Sequence, residues 1–148
     1  MFHLRARPAA IVMLLLAACG AALSQQQVAT AVPVDVSAVA SGGRWQSGSL
    51  QGVYRVVVQT GGFEHVVSEA HVEWLADPGS GSQETRLVAS KLVPTGSFRL
   101  DNPRIVKSGT AWRVDLQAIE THTSPLVRGV WTVRLAGPGE LWATFVQR

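Results

Sequence analysis

Cysteine is nearly missing from this chain: Cys19 is the only one in 148 residues. No intrachain disulfide is possible, and no cysteine-based zinc ligand set can be assembled from a single thiol. A second long apolar run is also missing. After the N-terminal run Ala9 to Ala18, no stretch approaches the roughly 18 apolar residues of a membrane-crossing helix. Basic tracts are absent as well. Arginines outnumber lysines and account for the high isoelectric point, but no segment gathers five like charges. With no basic stripe in the sequence, nucleic acid is not an expected partner.

What is present begins at the N-terminus. The first eight residues carry Arg5 and Arg7 and no acid, and Ala9–Ala18 follows as an unbroken apolar run ending in small residues. A basic region, a short apolar region and a small-residue exit are the layout of a secretory signal peptide. Ten residues at ~1.5 Å each make a helix of about 15 Å, half the thickness of a hydrocarbon core. The run is therefore expected to direct export rather than span a bilayer.

It ends in Leu16-Ala17-Ala18-Cys19, which resembles the lipobox of bacterial lipoproteins. The resemblance covers residues 1–20 only. It implies that the Cys19 thiol receives a diacylglyceryl group, that cleavage before Cys19 makes it the first mature residue, and that its amine is acylated (the palmitate of such anchors). Each buried methylene contributes about 0.8 kcal/mol, and two or more chains hold a protein stably on a bilayer where one does not. A solitary cysteine in an exported chain fits this use, because it has no disulfide partner. The family's sorting rule keeps lipoproteins with Asp after the cysteine at the inner membrane. Gly20 stands there, so the resemblance implies an outer-membrane anchor with the domain facing the periplasm.

Removing the signal leaves about 130 residues, the size of one domain with a real core. The net charge of +3 falls to about +1 once Arg5 and Arg7 are gone. The expected organisation is a signal peptide over 1–18, a lipidated N-terminus and tether over 19–40, and a single β domain over 41–148. Gly20 to Thr30, rich in Ala, Ser and Gln, has the composition of a flexible tether. Ala31–Val39 alternates weakly, and reads either as more tether or as an edge strand that tolerates Pro33.

Leu50–Gln59 is rich in Val and Tyr and reads as a strand. Phe63–Leu75 is ambiguous. A helical face through 63, 66, 67, 70, 71 and 74 collects five apolar residues of six, against four of six for the even-numbered strand face. A three-residue loop Thr60-Gly61-Gly62 would instead set a hairpin with Val56 facing Val66, Tyr54 facing Ser68 and Gly52 facing Ala70. That register places the apolar residues of both strands on one side, with Arg55, Glu69, His71 and Glu73 on the other. The strand is the favoured reading, and a helix over 63–75 would make the protein α+β.

Further strands are expected at Arg86–Val93, at Ser97–Leu100 and Arg104–Lys107 around Asp101-Asn102-Pro103, and at Leu141–Val146. The clearest alternation is in Trp112–Ala118 and Trp131–Leu135. Both read Trp-x-Val-x-Leu, which suggests neighbours lining one core. Seven to nine short strands with regular turn signals predict an all-β antiparallel sandwich of immunoglobulin-like shape, without the Cys…Trp…Cys spacing of true immunoglobulin domains.

No reaction chemistry emerges. Glu69-x-His71-x-Glu73 shares one strand face, but His65 lies three pleats from His71, too far to join it on one ion. His122 sits between two threonines with no carboxylate set beside it by spacing, and Gly79-Ser80-Gly81-Ser82 lacks the pattern of a nucleophile elbow. The expectation is no catalytic residue, no metal and no cofactor. Trp74, Trp112 and Trp131 lie on apolar parity and are expected in the core. Trp45, in a polar Gly/Ser-rich stretch, and Trp142, opposite in parity to Leu141, Ala143 and Phe145, are the candidate ligand-binding residues, as exposed stacking surfaces. The expected function is a non-catalytic envelope lipoprotein binding a protein partner or supporting an assembly. The alternative is a glycan- or peptidoglycan-binding module using Trp45 and Trp142.

Overall fold

The computed structural model describes residues 35–62, 66–78 and 85–148. The signal peptide, Cys19 and most of the tether lie outside the described residues, as do His65 and the Gly79–Ser82 stretch. The described residues form eight strands and no helix: β1 (Val36–Ser47), β2 (Leu50–Gly61), β3 (Val67–Ala76), β4 (Arg86–Val93), β5 (Phe98–Ser108), β6 (Ala111–Glu120), β7 (Arg128–Leu135) and β8 (Leu141–Gln147). They make two antiparallel four-stranded sheets, ordered β1-β2-β3-β4 and β5-β6-β7-β8, with β5 packed against β1, β2 and β3. The all-β sandwich is as expected. β1 begins at Val36, so residues 36–39 of the weakly alternating stretch enter the sheet as part of its edge strand.

The immunoglobulin-like expectation is corrected. Every strand pairs only with its neighbours in the chain, so each sheet is a plain meander without the Greek-key connections of that fold. Local turns enforce this. Gly48 and Gly109, at φ 58° and 62°, sit in the two-residue loops joining β1 to β2 and β5 to β6. Such loops allow only hairpin neighbours.

Residues 67–75, for which helix and strand competed, lie in β3, a strand bonded on both sides. A one-residue margin in periodicity does not outweigh a full ladder of backbone hydrogen bonds to β2 and a partial one to β4. The expected hairpin register is wrong, although its faces are right. Val56 pairs with Val72, Tyr54 with Trp74 and Gly52 with Ala76, six residues further along β3 than expected. An even slip preserves side-chain parity, so alternation alone could not detect it. The two strands expected around Asp101-Asn102-Pro103 are one strand, β5. A bulge between Asp101 and Arg104, with Asn102 at φ 50°, absorbs the break.

The core lies between the sheets. Val56, Val58, Val72 and Trp74 from the first face Leu100, Val114, Leu116 and Val133 from the second, all essentially solvent-free. The repeated Trp-x-Val-x-Leu code pairs with itself in antiparallel sense: Trp112 with Leu135, Val114 with Val133, Leu116 with Trp131. Three hydrogen bonds cross between the layers. The Trp74 indole N–H and the Tyr54 hydroxyl both donate to the Ala136 carbonyl, at 3.2 and 3.4 Å, and the Leu100 amide donates to Ser68 Oγ at 3.1 Å. Phe98, Trp131 and Phe145 cluster on the inner face of the second sheet, with centroids 4.7–5.9 Å apart.

Candidate functional site

The two tryptophans proposed as stacking surfaces are separated by the fold. Trp45 is buried, 4% exposed, which overturns its expected exposure. A bulge between Gly42 and Trp45, with Gly43 at φ 63°, inserts one residue and reverses the parity of β1. The indole therefore turns inward opposite Gly52 and donates to the Val53 carbonyl at 3.0 Å. Trp142 stands on the outer face of β8, 58% exposed and directly across from Arg134. The fold does not bring the two together.

Glu69, His71 and Glu73 share the outer face of β3. His71 Nε2 is 3.8 Å from Glu69 Oε2, whereas Glu73 is committed to Arg55 across β2. Among the described residues no three His, Cys, Asp or Glu side chains are placed to hold a metal ion. His122 is exposed in the loop between β6 and β7. One described ionisable group is clearly perturbed: burial pushes the Tyr54 hydroxyl above its ordinary value.

With both inner faces spent on the core, the surfaces open to partners are the outer faces, and they differ sharply. On the first sheet, one row crosses all four strands as Val39, Val57, His71 and Leu92, and another runs Val53, Leu75 and Leu87. Between them lies the polar row Ser41, Arg55, Glu73 and Ser90, closed by the Arg55–Glu73 ion pair. Val39, Leu87 and Leu92 are each about half exposed, at 51%, 51% and 48%. Large aliphatics in two rows flanking a polar one on a water-facing sheet are an interaction-site signature, whereas singly scattered ones are ordinary.

The outer face of the second sheet is cationic. It collects Arg99, Arg104, Arg113, Arg128 and Arg134, with Arg148 just beyond β8, against the acids Asp101 and Asp115. Asp101 is paired with Arg99 at 3.4 Å, and Asp115 with Arg113 at 3.0 Å. Asp115 also accepts from the Thr132 hydroxyl at 3.4 Å. Arg104, Arg128, Arg134 and Arg148 have no ion-pair partner among the described residues. Arg113 and Arg134 are direct cross-strand partners, a placement that is unfavourable for like charges. Beside them, a depression of about 450 Å³ is lined by Arg113, Thr132, Arg134 and the β5–β6 turn.

Sequence reading missed this face because its arginines come from three strands and the C-terminal residue and are never contiguous. The available signal was parity: Arg99, Arg113 and Arg134 each oppose the apolar parity of their own strands. That signal becomes a surface only when the strands are paired. No family model matches the chain, and neither a curated protein nor a solved structure matches it.

Proposed function

We propose that the chain is an exported lipoprotein, anchored through acylated Cys19 at the outer membrane and facing the periplasm. Its β-sandwich is a non-catalytic domain that docks a protein partner in an envelope assembly. The observation that carries the docking reading is the outer face of β1–β4, where Val39, Leu87 and Leu92 stand half exposed in aliphatic rows around the Arg55–Glu73 pair. A partner burying those three side chains would gain about 25 cal/mol per Å² of apolar area removed from water. The ion pair at the centre would fix the register of docking more than its strength.

Two measurements test this reading. Cys19→Ala should abolish lipid labelling and leave unprocessed precursor, and a normally processed, soluble protein would refute the anchor. For docking, Val39→Glu with Leu92→Glu should abolish co-purification of the partner after in-cell cross-linking. Capture undiminished by these charges would refute the assignment of this face. The glycan-binding alternative loses Trp45 to the core and retains only Trp142.

A further inference from the structure

The cationic outer face of β5–β8 is not used by the docking surface just described, since it belongs to the other sheet. We propose that this face lies against the anionic phospholipid headgroups of the membrane that carries the anchor. The inference builds on the membrane-anchored reading and adds an orientation to it.

Three observations support a lipid surface as the occupant. First, the charge is unbalanced and spread out. Arg104, Arg128, Arg134 and Arg148 have no ion-pair partner among the described residues, and both acids of the face are already neutralised by Arg99 and Arg113. A layer of phosphates offers acceptors over the whole area, and guanidinium groups engage phosphate oxygens through paired N–H donors. Second, Arg134 stands directly across from Arg113, whose charge Asp115 already balances, and an anionic layer supplies the counter-charge that Arg134 lacks. Third, Trp142 and Val146 protrude from β8 on the same face, 58% and 52% exposed. An indole with an apolar body and one N–H donor suits the boundary between headgroup and acyl chain, and the stems of neighbouring arginines can cover apolar surface while their heads stay with phosphate. A compact anionic ligand would use one or two arginines and leave the rest unpaired.

Each arginine near an anionic surface strengthens association by about fivefold. The test uses the full lipidated chain reconstituted in vesicles of pure phosphatidylcholine or of phosphatidylcholine with ~30% phosphatidylglycerol, ionic strength being controlled because such contacts are screened. Trp142 is read by its fluorescence quenching with brominated phospholipid, assigned by difference against Trp142→Phe. The expected result is quenching of Trp142 in the anionic vesicles, little in the neutral ones, and reversal by high salt. Arg128→Gln with Arg134→Gln should reduce docking roughly 25-fold. Arg86→Gln with Lys91→Gln, which removes the same charge from the first sheet, should leave it unchanged.

Equal quenching in neutral and anionic vesicles overturns the proposal, as does equal weakening by the two charge-removal pairs. So does binding of poly-glutamate, a single-stranded oligonucleotide or muropeptides to Trp142 while anionic vesicles have no effect. Failure of the anchor is read separately, as loss of association with the neutral vesicles, where the acyl chains act without surface charge.

Discussion

Replacing Ser68 with Ala removes the head of a hydrogen-bond relay that runs from one sheet through three strands of the other. The hydroxyl directions follow from donor counting. Thr60 Oγ1 donates to Ser37 Oγ at 2.8 Å, and Ser37 Oγ donates to the Val58 carbonyl at 3.2 Å. A hydroxyl has one hydrogen, so the 2.9 Å contact between Ser68 and Thr60 must have Ser68 as donor. That leaves Ser68 Oγ free to accept from the Leu100 amide. Both Ser68 and Leu100 are 1% exposed, and β5 is an edge strand with no neighbour on its outer side to supply a carbonyl. Ser68→Ala therefore strands a buried N–H, a loss of about 1–3 kcal/mol. Thr60→Val and Ser37→Ala break links progressively closer to solvent, where water replaces the lost partner, and should destabilise by under ~1 kcal/mol. Urea unfolding followed by tryptophan fluorescence measures all three, with an unchanged slope as the sign that only stability moved. Ser68→Ala combined with Thr60→Val should be less damaging than the sum, because both act on one network. A Ser68→Ala effect below about 0.5 kcal/mol, or one smaller than that of Ser37→Ala, would refute the relay as a structural element.

Two further outcomes follow from burial. Trp74→Ala, which empties a solvent-free site and removes the bond to the Ala136 carbonyl, should destabilise by about 3–5 kcal/mol, whereas Trp142→Ala should change the unfolding free energy by less than ~0.5 kcal/mol. Tyr54 is the chain's only tyrosine, and burial raises its pKa above 10.0. The folded state therefore holds that proton more tightly than the unfolded one. This contribution to stability is intact below the unfolded pKa and is lost as pH rises from there through the folded value. Tyr54→Phe should abolish that part of the alkaline decline, as seen in melting scans, and ultraviolet titration of the phenolate should show wild-type ionisation displaced upward until the protein unfolds.

What was legible in the sequence was parity. Trp112 to Ala118 and Trp131 to Leu135 alternate without interruption, and the structure pairs them as the code suggests. Parity also placed Arg55, Glu69, His71 and Glu73 on one outer face. Parity does not encode distance along a strand, which is why the β2–β3 register slipped by an even number of residues with no conflict in the pattern. It fails outright at a bulge. The extra residue at Gly43 turned Trp45 inward, and the Asn102–Pro103 bulge made one strand look like two. The candidate surfaces were less legible still. Arg99, Arg113 and Arg134 are isolated outward residues until β5, β6 and β7 are laid side by side, and Leu92 reaches the row of Val57 only through β3.

The two proposals constrain each other through this geometry. A sandwich has two outer faces pointing in opposite directions, with sheets about 10 Å apart. The cluster Arg104, Arg128, Arg134 and Arg148 occupies one of these faces, and the aliphatic rows, around the paired Arg55, the other. If the β5–β8 face rests on headgroups, the β1–β4 face points away from the membrane, where a periplasmic partner can reach it. Reversed, the aliphatic rows would have to meet headgroups, which offer them little apolar surface, and the unpaired arginines would face solvent. The partition of charge thus selects one orientation of the domain. It also makes the proposals jointly testable: Leu92→Glu should weaken partner capture without changing Trp142 quenching, and the arginine pair should do the reverse. A single variant that abolished both readouts while leaving the core intact would mean that the two faces are not independent, and the assignment of separate roles would fall.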